Sequence, residues 1–90
     1  MMKIKIELFG AARDFANDNI LELKIENQTD IKGIRENLLE WLKKEHPNNN
    51  NYSNIVKNSA FCNENNEIVH DDYLVSKEQK LCIIPPIGGG

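Results

Sequence analysis

The sequence is poor in the residues that build metal and disulfide sites. Its 90 residues include only two cysteines, Cys62 and Cys82, which lie far apart in the chain. They are too few and too distant for a zinc cage or a disulfide scaffold, and this usage fits a reducing cytosol. The two histidines, His46 and His70, have no second ligand at metal spacing, so we expect no metal site.

Basic excess and long apolar runs are also missing. Eleven Lys and Arg residues against fourteen Asp and Glu residues give a net charge of −3. Binding to nucleic acid or to an anionic membrane surface needs positive charge, so neither partner is expected. The apolar runs are far shorter than the roughly 20 residues of a membrane span, and the first residues alternate instead of forming a signal peptide. We therefore expect a cytoplasmic protein.

The chain length leaves room for one small domain. The sequence predicts a domain over residues 1–85 and a flexible C-terminal tail over residues 86–90. No Ser/His/Asp set or carboxylate pair suggests a self-contained active site. Any chemistry is therefore expected to involve other proteins.

Alternation of apolar and polar residues predicts several strands, and a change to the helical period predicts one main helix. A helix beginning at Thr29 or Asp30 carries the apolar stripe of Ile31, Ile34, Leu38, Trp41 and Leu42. Pro47 and the asparagines that follow, 48–51, predict an exposed loop, with a weak helical turn over 53–57. The predicted strands cover residues 3–9, 20–26, 59–63, 68–69 and 80–84. This order indicates an α+β fold in which a mixed sheet packs on one helix and the last strand lies beside the first.

One face of this sheet has no helix to cover it. If Ile4, Ile6 and Leu8 face the helix, alternation directs Phe9 outward. In the predicted strand 80–84, an inward Leu81 and Ile83 would direct Cys82 and Ile84 outward. In the predicted strand 59–63, an inward Ala60 and Cys62 would direct Phe61 outward. We expect Phe9, Phe61, Cys82 and Ile84 to form an apolar interaction patch, unless loops cover them.

The sequence ends in three glycines, Gly88, Gly89 and Gly90. Glycines allow an extended chain to enter a slot too narrow for a Cβ atom, and five residues from Pro86 reach roughly 17 Å. The ionised carboxylate of Gly90 is able to attack the α-phosphate of ATP, forming an acyl-adenylate that then accepts sulfur or an amine. The alternative is a disordered tail without a role. A sulfur relay through Cys62 or Cys82 is less favoured than a place in the core.

Three segments carry a family resemblance: Phe9-Gly10-Ala11-Ala12-Arg13-Asp14, Asn63 before a tight hairpin, and Leu81 to Gly90 with its Pro85-Pro86 pair. Together they resemble the small subunits of molybdopterin synthase, sulfur carriers of the ubiquitin-like β-grasp family. The resemblance covers essentially the whole chain and is weakest from His46 to Asn58. The sequence departs from the family pattern at Gly88, where a variable residue is usual. A third glycine raises the entropic cost of ordering the tail on insertion.

The resemblance implies a function in sulfur transfer. A ubiquitin-activating-like enzyme would use ATP to adenylate Gly90, and a sulfur donor protein would supply the sulfur of a thiocarboxylate. The large subunit of molybdopterin synthase would then take the tail and pass the sulfur to cyclic pyranopterin monophosphate, in a 2:2 heterotetramer. The chain itself would bind no cofactor and would not be catalytic alone. Tail insertion is expected to use Pro86, Ile87, Gly88 and Gly89, and the partner interface Phe9, Phe61, Cys82, Ile84 and Arg13.

Other functions share the glycine end. A sulfur carrier for thiamine thiazole synthesis is disfavoured by chain length, since those chains are usually shorter. A ubiquitin-related modifier or carrier for tRNA thiolation is disfavoured by Pro85-Pro86 and the Phe9 to Asp14 segment. A non-catalytic interaction module with an inert tail belongs to a different class of function.

Overall fold

A computed structural model describes residues 1–87 of the chain, so the expected tail beyond Ile87 lies outside the described residues. Seven strands and two α-helices occur in this part, together with a 3-10 helix over Gly10–Phe15. The strands are β1 (Met2–Leu8), β2 (Ile20–Ile25), β3 (Thr29–Asp30), β4 (Ala60–Cys62), β5 (Ile68–Val69), β6 (Leu74–Val75) and β7 (Gln79–Ile84). The helices are α1 (Ile31–Glu45) and α2 (Asn50–Asn58). Within residues 1–87, no helix has the length and apolar character to span a bilayer.

The main sheet has five strands in the order β2-β1-β7-β4-β5. Strand β7 lies at its centre, parallel to β1 and antiparallel to β4. The predicted position of the last strand beside the first is therefore confirmed. The chain must cross the sheet between β1 and β7, and α1 lies within this crossover, as parallel neighbours require.

Helix α1 covers one face of the sheet. Asp30 caps its start by accepting a 2.9 Å hydrogen bond from the Gly33 backbone N–H, which satisfies one of the free donors of the first turn. The predicted stripe is fully buried except for half-buried Trp41. Buried residues of α1 and of the sheet form one apolar core: Ile4, Ile6, Leu8, Leu21, Leu23, Ile31, Ile34, Leu38, Leu42, Phe61, Leu81 and Ile83.

The asparagine-rich segment is helical where an exposed loop and a weak turn were expected. The Asn49 side chain accepts a 3.1 Å hydrogen bond from the Tyr52 backbone N–H and caps α2. Val56 is buried, and Ile55 and Tyr52 pack against the core. Capping and this apolar side overcome the weak helix propensity of asparagine.

Two other local features involve short strands. The predicted tight hairpin of β4 and β5 is confirmed, with Asn66 at a positive φ of 63°. The Asn63 carboxamide oxygen accepts hydrogen bonds from the backbone N–H groups of Asn65 (2.9 Å) and Glu67 (3.0 Å), which holds the turn closed. The pairing of β3 with β6 was not predicted, because a strand of two residues shows no alternation.

Arg35 joins α1 to the second half of the chain. Its Nη1 donates to the backbone carbonyl oxygens of Val56 (2.6 Å) and Ser59 (2.8 Å) at the C-terminal end of α2. Its Nη2 pairs with Asp71 at 3.0 Å, and its guanidinium carbon lies 5.0 Å from the centre of the Phe61 ring. A cation here supplements the long 3.3 Å hydrogen bond that the Val56 carbonyl accepts from the Ser59 backbone N–H, and it compensates the negative end of the helix dipole.

We expect Arg35→Met to lower the free energy of unfolding by about 2–4 kcal/mol, because it leaves charged hydrogen bonds to two backbone carbonyls unmade while keeping the apolar stem. Asp71→Asn is the matched control and should cost under about 1 kcal/mol, since that partner is largely exposed. Urea unfolding measures both. Equal losses would contradict the assigned role of the carbonyl contacts.

Candidate functional site

The base of the tail lies where the central strand ends. Pro85 follows β7 and is buried, whereas Pro86 is exposed and Ile87 is 99% exposed. Gly10 adopts a positive φ of 54°, and a Cβ built on it would lie 3.9 Å from the Pro85 ring. The glycine thus lets the chain turn tightly at the end of β1, beside Pro85. Among the predicted insertion residues, Gly88 and Gly89 lie outside the described residues, as does Gly90.

We call the face of the five-stranded sheet opposite α1 the outer face. Its half near the tail carries two rows of side chains across the strands, which are apolar except for Glu7. Ile84 is paired with Ala60, and Phe9 continues this row just beyond β1. The second row runs through Ile20, Glu7, Cys82, Cys62 and Ile68. Phe9 and Ile84 are half-buried, and Ile68 is 70% exposed. Apolar side chains on the outer face therefore adjoin the tail base.

The composition of this patch differs from the prediction at β4. Phe61 is fully buried, because its pairing with Ile83 places both side chains on the inner face. The expected outward orientation of Phe61 is wrong, and so is the inward orientation of Ala60 and Cys62. Phe61 fills the core beneath Arg35 instead. Ile68, which the sequence reasoning did not include, occupies the outer face next to Cys62.

The cysteines, distant in sequence, are neighbours in space. Cys62 and Cys82 are directly opposite each other on β4 and β7. Both belong to the outer face, yet they are only 8% and 4% exposed. The Cys82 thiol donates a weak hydrogen bond of 3.7 Å to Glu7 Oε1. Burial raises the pKa of Cys82 above its ordinary value of 9.0, and the negative charge of Glu7 adds to the rise.

The other half of the outer face is charged. Glu7 Oε1 accepts from Lys80 Nζ at 3.0 Å, and this hydrogen bond and charge raise the pKa of Lys80 above 10.5. A shallow depression of about 480 Å³ opens farther from the tail and is lined by Lys3, Lys5, Glu22, Glu78, Gln79 and Lys80. Glu7 thus marks the boundary between the charged half and the apolar half.

A groove that the sequence reasoning missed flanks the tail base. It has a volume of about 490 Å³ and lies between α2 and the prolines, lined by Ala11, Asn51, Asn54, Ile55, Asn58, Pro85 and Pro86. The asparagines lie at i, i+3 and i+7, so they share one side of α2. This helical spacing of asparagines was the sequence feature from which the groove could have been predicted. The groove offers amide donors and acceptors beside the exit of the tail.

The remaining candidate residues, Arg13 and His46, are not part of a catalytic or metal-binding cluster in residues 1–87. Arg13 is exposed on the 3-10 helix. His46 Nε2 is 2.8 Å from the Phe15 carbonyl oxygen, and its ring packs edge-on against Trp41 and Tyr52. This is a structural role. Over residues 1–87, no group of His, Cys, Asp and Glu side chains is placed to hold a metal ion.

Comparisons with known proteins agree on the fold. A family model described as the ThiS family matches residues 6–90. No curated protein matches the sequence significantly. SAMP1 from Haloferax volcanii has 16% identity and a TM-score of 0.65, covering 98% of this chain and 99% of its own. A protein named molybdopterin converting factor, subunit 1, from Pyrococcus furiosus has 16% identity and a TM-score of 0.63, covering 97% of this chain and 100% of its own. A ubiquitin from Caldiarchaeum subterraneum has 18% identity and a TM-score of 0.59, covering 99% and 98%. The fold is the expected ubiquitin-like β-grasp.

The raised pKa of Cys82 predicts a pH dependence of stability. Above the ordinary pKa of 9.0 the unfolded chain loses the thiol proton while the folded chain keeps it. Stability contributed by this group is therefore present below that pH and is lost as pH rises through the folded-state pKa. Under reducing conditions, the free energy of unfolding should fall more steeply above about pH 8.5 in the native chain than in Cys82→Ala. Parallel curves from chemical unfolding would contradict the assignment.

Proposed function

We propose, since the chain belongs to the ThiS family of ubiquitin-like sulfur carriers, that it is the sulfur carrier subunit of a molybdopterin synthase. Its working group is the α-carboxylate of Gly90. The observation that carries the proposal is the exit of the chain at Pro86 and Ile87, exposed at the end of the central strand beside an apolar patch.

The tail geometry supports delivery of a reactive group into another protein. The five residues from Pro86 to Gly90 span roughly 17 Å when extended. Pro85 is buried and anchors the base, and the chain is exposed from Pro86 onward to Ile87. The glycines remove every Cβ from the last three positions, which suits a slot too narrow for side chains.

The chemistry begins with activation. The Gly90 carboxylate, ionised at neutral pH because its ordinary pKa is about 3.3–3.7, attacks the α-phosphorus of ATP on a ubiquitin-activating-like enzyme. Pyrophosphate leaves and an acyl-adenylate forms. A sulfide equivalent from a sulfur donor protein attacks the acyl carbon and displaces AMP, leaving a thiocarboxylate. The chain supplies the carboxylate and its placement, and the partner enzymes supply ATP binding and catalysis.

Sulfur transfer then takes place in the large subunit. The thiocarboxylate sulfur enters its active site, attacks a carbon of cyclic pyranopterin monophosphate and displaces an oxygen substituent. Water then cleaves the acyl–sulfur bond, which leaves the sulfur on the pterin and returns the Gly90 carboxylate for another round of charging. The apolar half of the outer face docks on that subunit, with Phe9, Ile84 and Ile68 as its accessible members. A 2:2 heterotetramer results if two such carriers serve one dimer of large subunits. Arg13, exposed near the same end of the sheet, is proposed as an ion-pairing residue at the rim.

The Pro85-Pro86 ending and the Phe9 to Asp14 segment favour this pathway over thiamine thiazole synthesis. The same features favour it over a modifier that forms isopeptide bonds through Gly90. All three functions use the same terminal carboxylate. They differ in the acceptor, so the partner that co-purifies with the chain separates them.

Removal of Gly89 and Gly90 should abolish sulfur transfer and leave folding intact, because the apolar core of the described domain ends at Ile83, before both residues in the chain. The measurement is molybdopterin formation in a mixture of the large subunit, activating enzyme, ATP, sulfur donor and cyclic pyranopterin monophosphate, with circular dichroism as the folding control. Mass spectrometry of the native chain from its own cells should show replacement of one terminal oxygen by sulfur. Undiminished product from the truncated chain would refute the proposal.

Ile84→Glu should weaken binding to the large subunit at least tenfold, roughly 1.4 kcal/mol or more, because docking would bury an unpaired carboxylate. Leu74→Glu is the matched control, since Leu74 is 57% exposed on β6, outside the five-stranded sheet. Isothermal titration calorimetry with the purified large subunit measures both. An unchanged affinity of the Ile84 variant would show that the outer face is not part of the interface.

A further inference from the structure

The two cysteines occupy a position that their sequence separation conceals. Cys62 on β4 and Cys82 on β7 are directly paired across an antiparallel ladder. Residues paired in this way have Cα atoms about 4.5–5.5 Å apart and side chains on the same face. Disulfide-bonded cysteines have Cα atoms about 4.4–6.8 Å apart. The backbone spacing of the two strands therefore already suits a disulfide bond.

We propose that Cys62 and Cys82 are a reversible redox modification site, which closes to a cross-strand disulfide by exchange with a small-molecule disulfide of the glutathione class. This property is independent of the sulfur carried at Gly90. It assigns a reaction to the pair of thiols on the outer face, for which the proposed carrier chemistry has no use. Both cysteines are free thiols in the structure.

The exchange proceeds in two steps that balance. The Cys62 thiolate attacks one sulfur of the small disulfide, forms a mixed disulfide and releases the first small thiolate. The Cys82 sulfur, after losing its proton to solvent, attacks the Cys62 sulfur and releases the second. The two cysteines together lose two electrons and two protons, and one small disulfide is reduced to two thiols.

The surroundings of the pair assign the order of attack. Cys62 is the more exposed thiol, at 8% against 4%, and its outer-face neighbour Ile68 is 70% exposed on a short edge strand. Small movements of that strand open Cys62 to a reagent. Cys82 lies deeper, between Cys62 and the Glu7 carboxylate, to which its thiol donates. That contact and burial hold Cys82 as a thiol at neutral pH, which makes it the resolving cysteine and keeps the reaction slow.

Closure would tie β4 covalently to the central strand. The bond closes a loop of about 20 residues, from Cys62 to Cys82, that contains β5 and β6. A cross-link of this size restricts the unfolded chain. Because β7 leads directly to Pro85, the bond lies one pleat away from Ile84 and from the tail base.

The test uses the whole chain, reduced and then equilibrated with oxidised and reduced glutathione at about pH 8.5, where thiols begin to ionise. We expect the monomer to lose the mass of two hydrogen atoms and a non-reducing digest to contain one peptide pair linking Cys62 to Cys82. Thermal unfolding should shift upward by roughly 15 °C, since a loop of this size contributes about 3 kcal/mol. Dithiothreitol should reverse both changes.

Two kinds of control variant separate pairing from general reactivity. Cys82→Ser should gain one glutathione at Cys62, Cys62→Ser should gain much less at the deeper Cys82, and neither variant should show the rise in unfolding temperature. Ile84→Cys in a Cys82→Ser background places the second thiol on the same strand and face but diagonal to Cys62, about 7–8 Å away between Cα atoms. That spacing exceeds the disulfide range, so this variant should form glutathione adducts and no internal bond.

The proposal is overturned if the native chain gives only glutathione adducts or intermolecular dimers. It is also overturned if the diagonal variant closes as readily as the native pair. If a serine variant fails to fold, the mass and linkage map of the native chain still decide the outcome.

Discussion

The placement of β7 between β1 and β4 is the constraint on which the rest of the structure depends. Its inner residues, Leu81 and Ile83, are fully buried against the core, and its two neighbours satisfy the backbone hydrogen bonds on both edges. Without β7, β1 and β4 would each expose an unpaired edge. The last strand of the chain therefore joins the β1–β2 hairpin to the β4–β5 hairpin, and the tail begins where this strand ends. Arg35 reinforces the same junction from the inner side, with its guanidinium over the Phe61 ring.

The two faces of this sheet differ in the polarity of their side chains. The inner face presents buried apolar side chains, among them Ile4, Ile6, Leu81 and Ile83, and packs against α1. The outer face changes character along β7, from Lys80 through Cys82 to Ile84, and Glu7 contacts both Lys80 and Cys82 at the boundary. Near the tail, apolar contacts supply area and the amide-lined groove supplies hydrogen-bond groups, whereas the charges lie at the far end. This division orients the proposed partner toward the tail.

Long alternating segments allowed accurate prediction, and short ones did not. Strands β1 and β7 span several residues, so the orientations of Ile4, Ile6, Leu81 and Ile83 followed from their pattern. Strand β4 has three residues, all of them apolar, and its facing depends on pairing with β7, which sequence cannot reveal. The inverted orientation of Phe61 and the unnoticed pairing of the cysteines share this cause. Helix α2 was missed because its cap is itself one of the asparagines that suggested a loop.

The consecutive prolines give the end of β7 a directional property. Proline fixes its own φ near −65° and restricts the residue before it, so the backbone from Ile84 to Pro86 has few accessible conformations. Neither proline has an N–H to donate, so the hydrogen bonding of β7 to its neighbouring strands stops at Pro85. The two proline rings therefore form a short rigid segment that is anchored in the sheet. The direction of the chain at Ile87 is therefore set by the core of the domain.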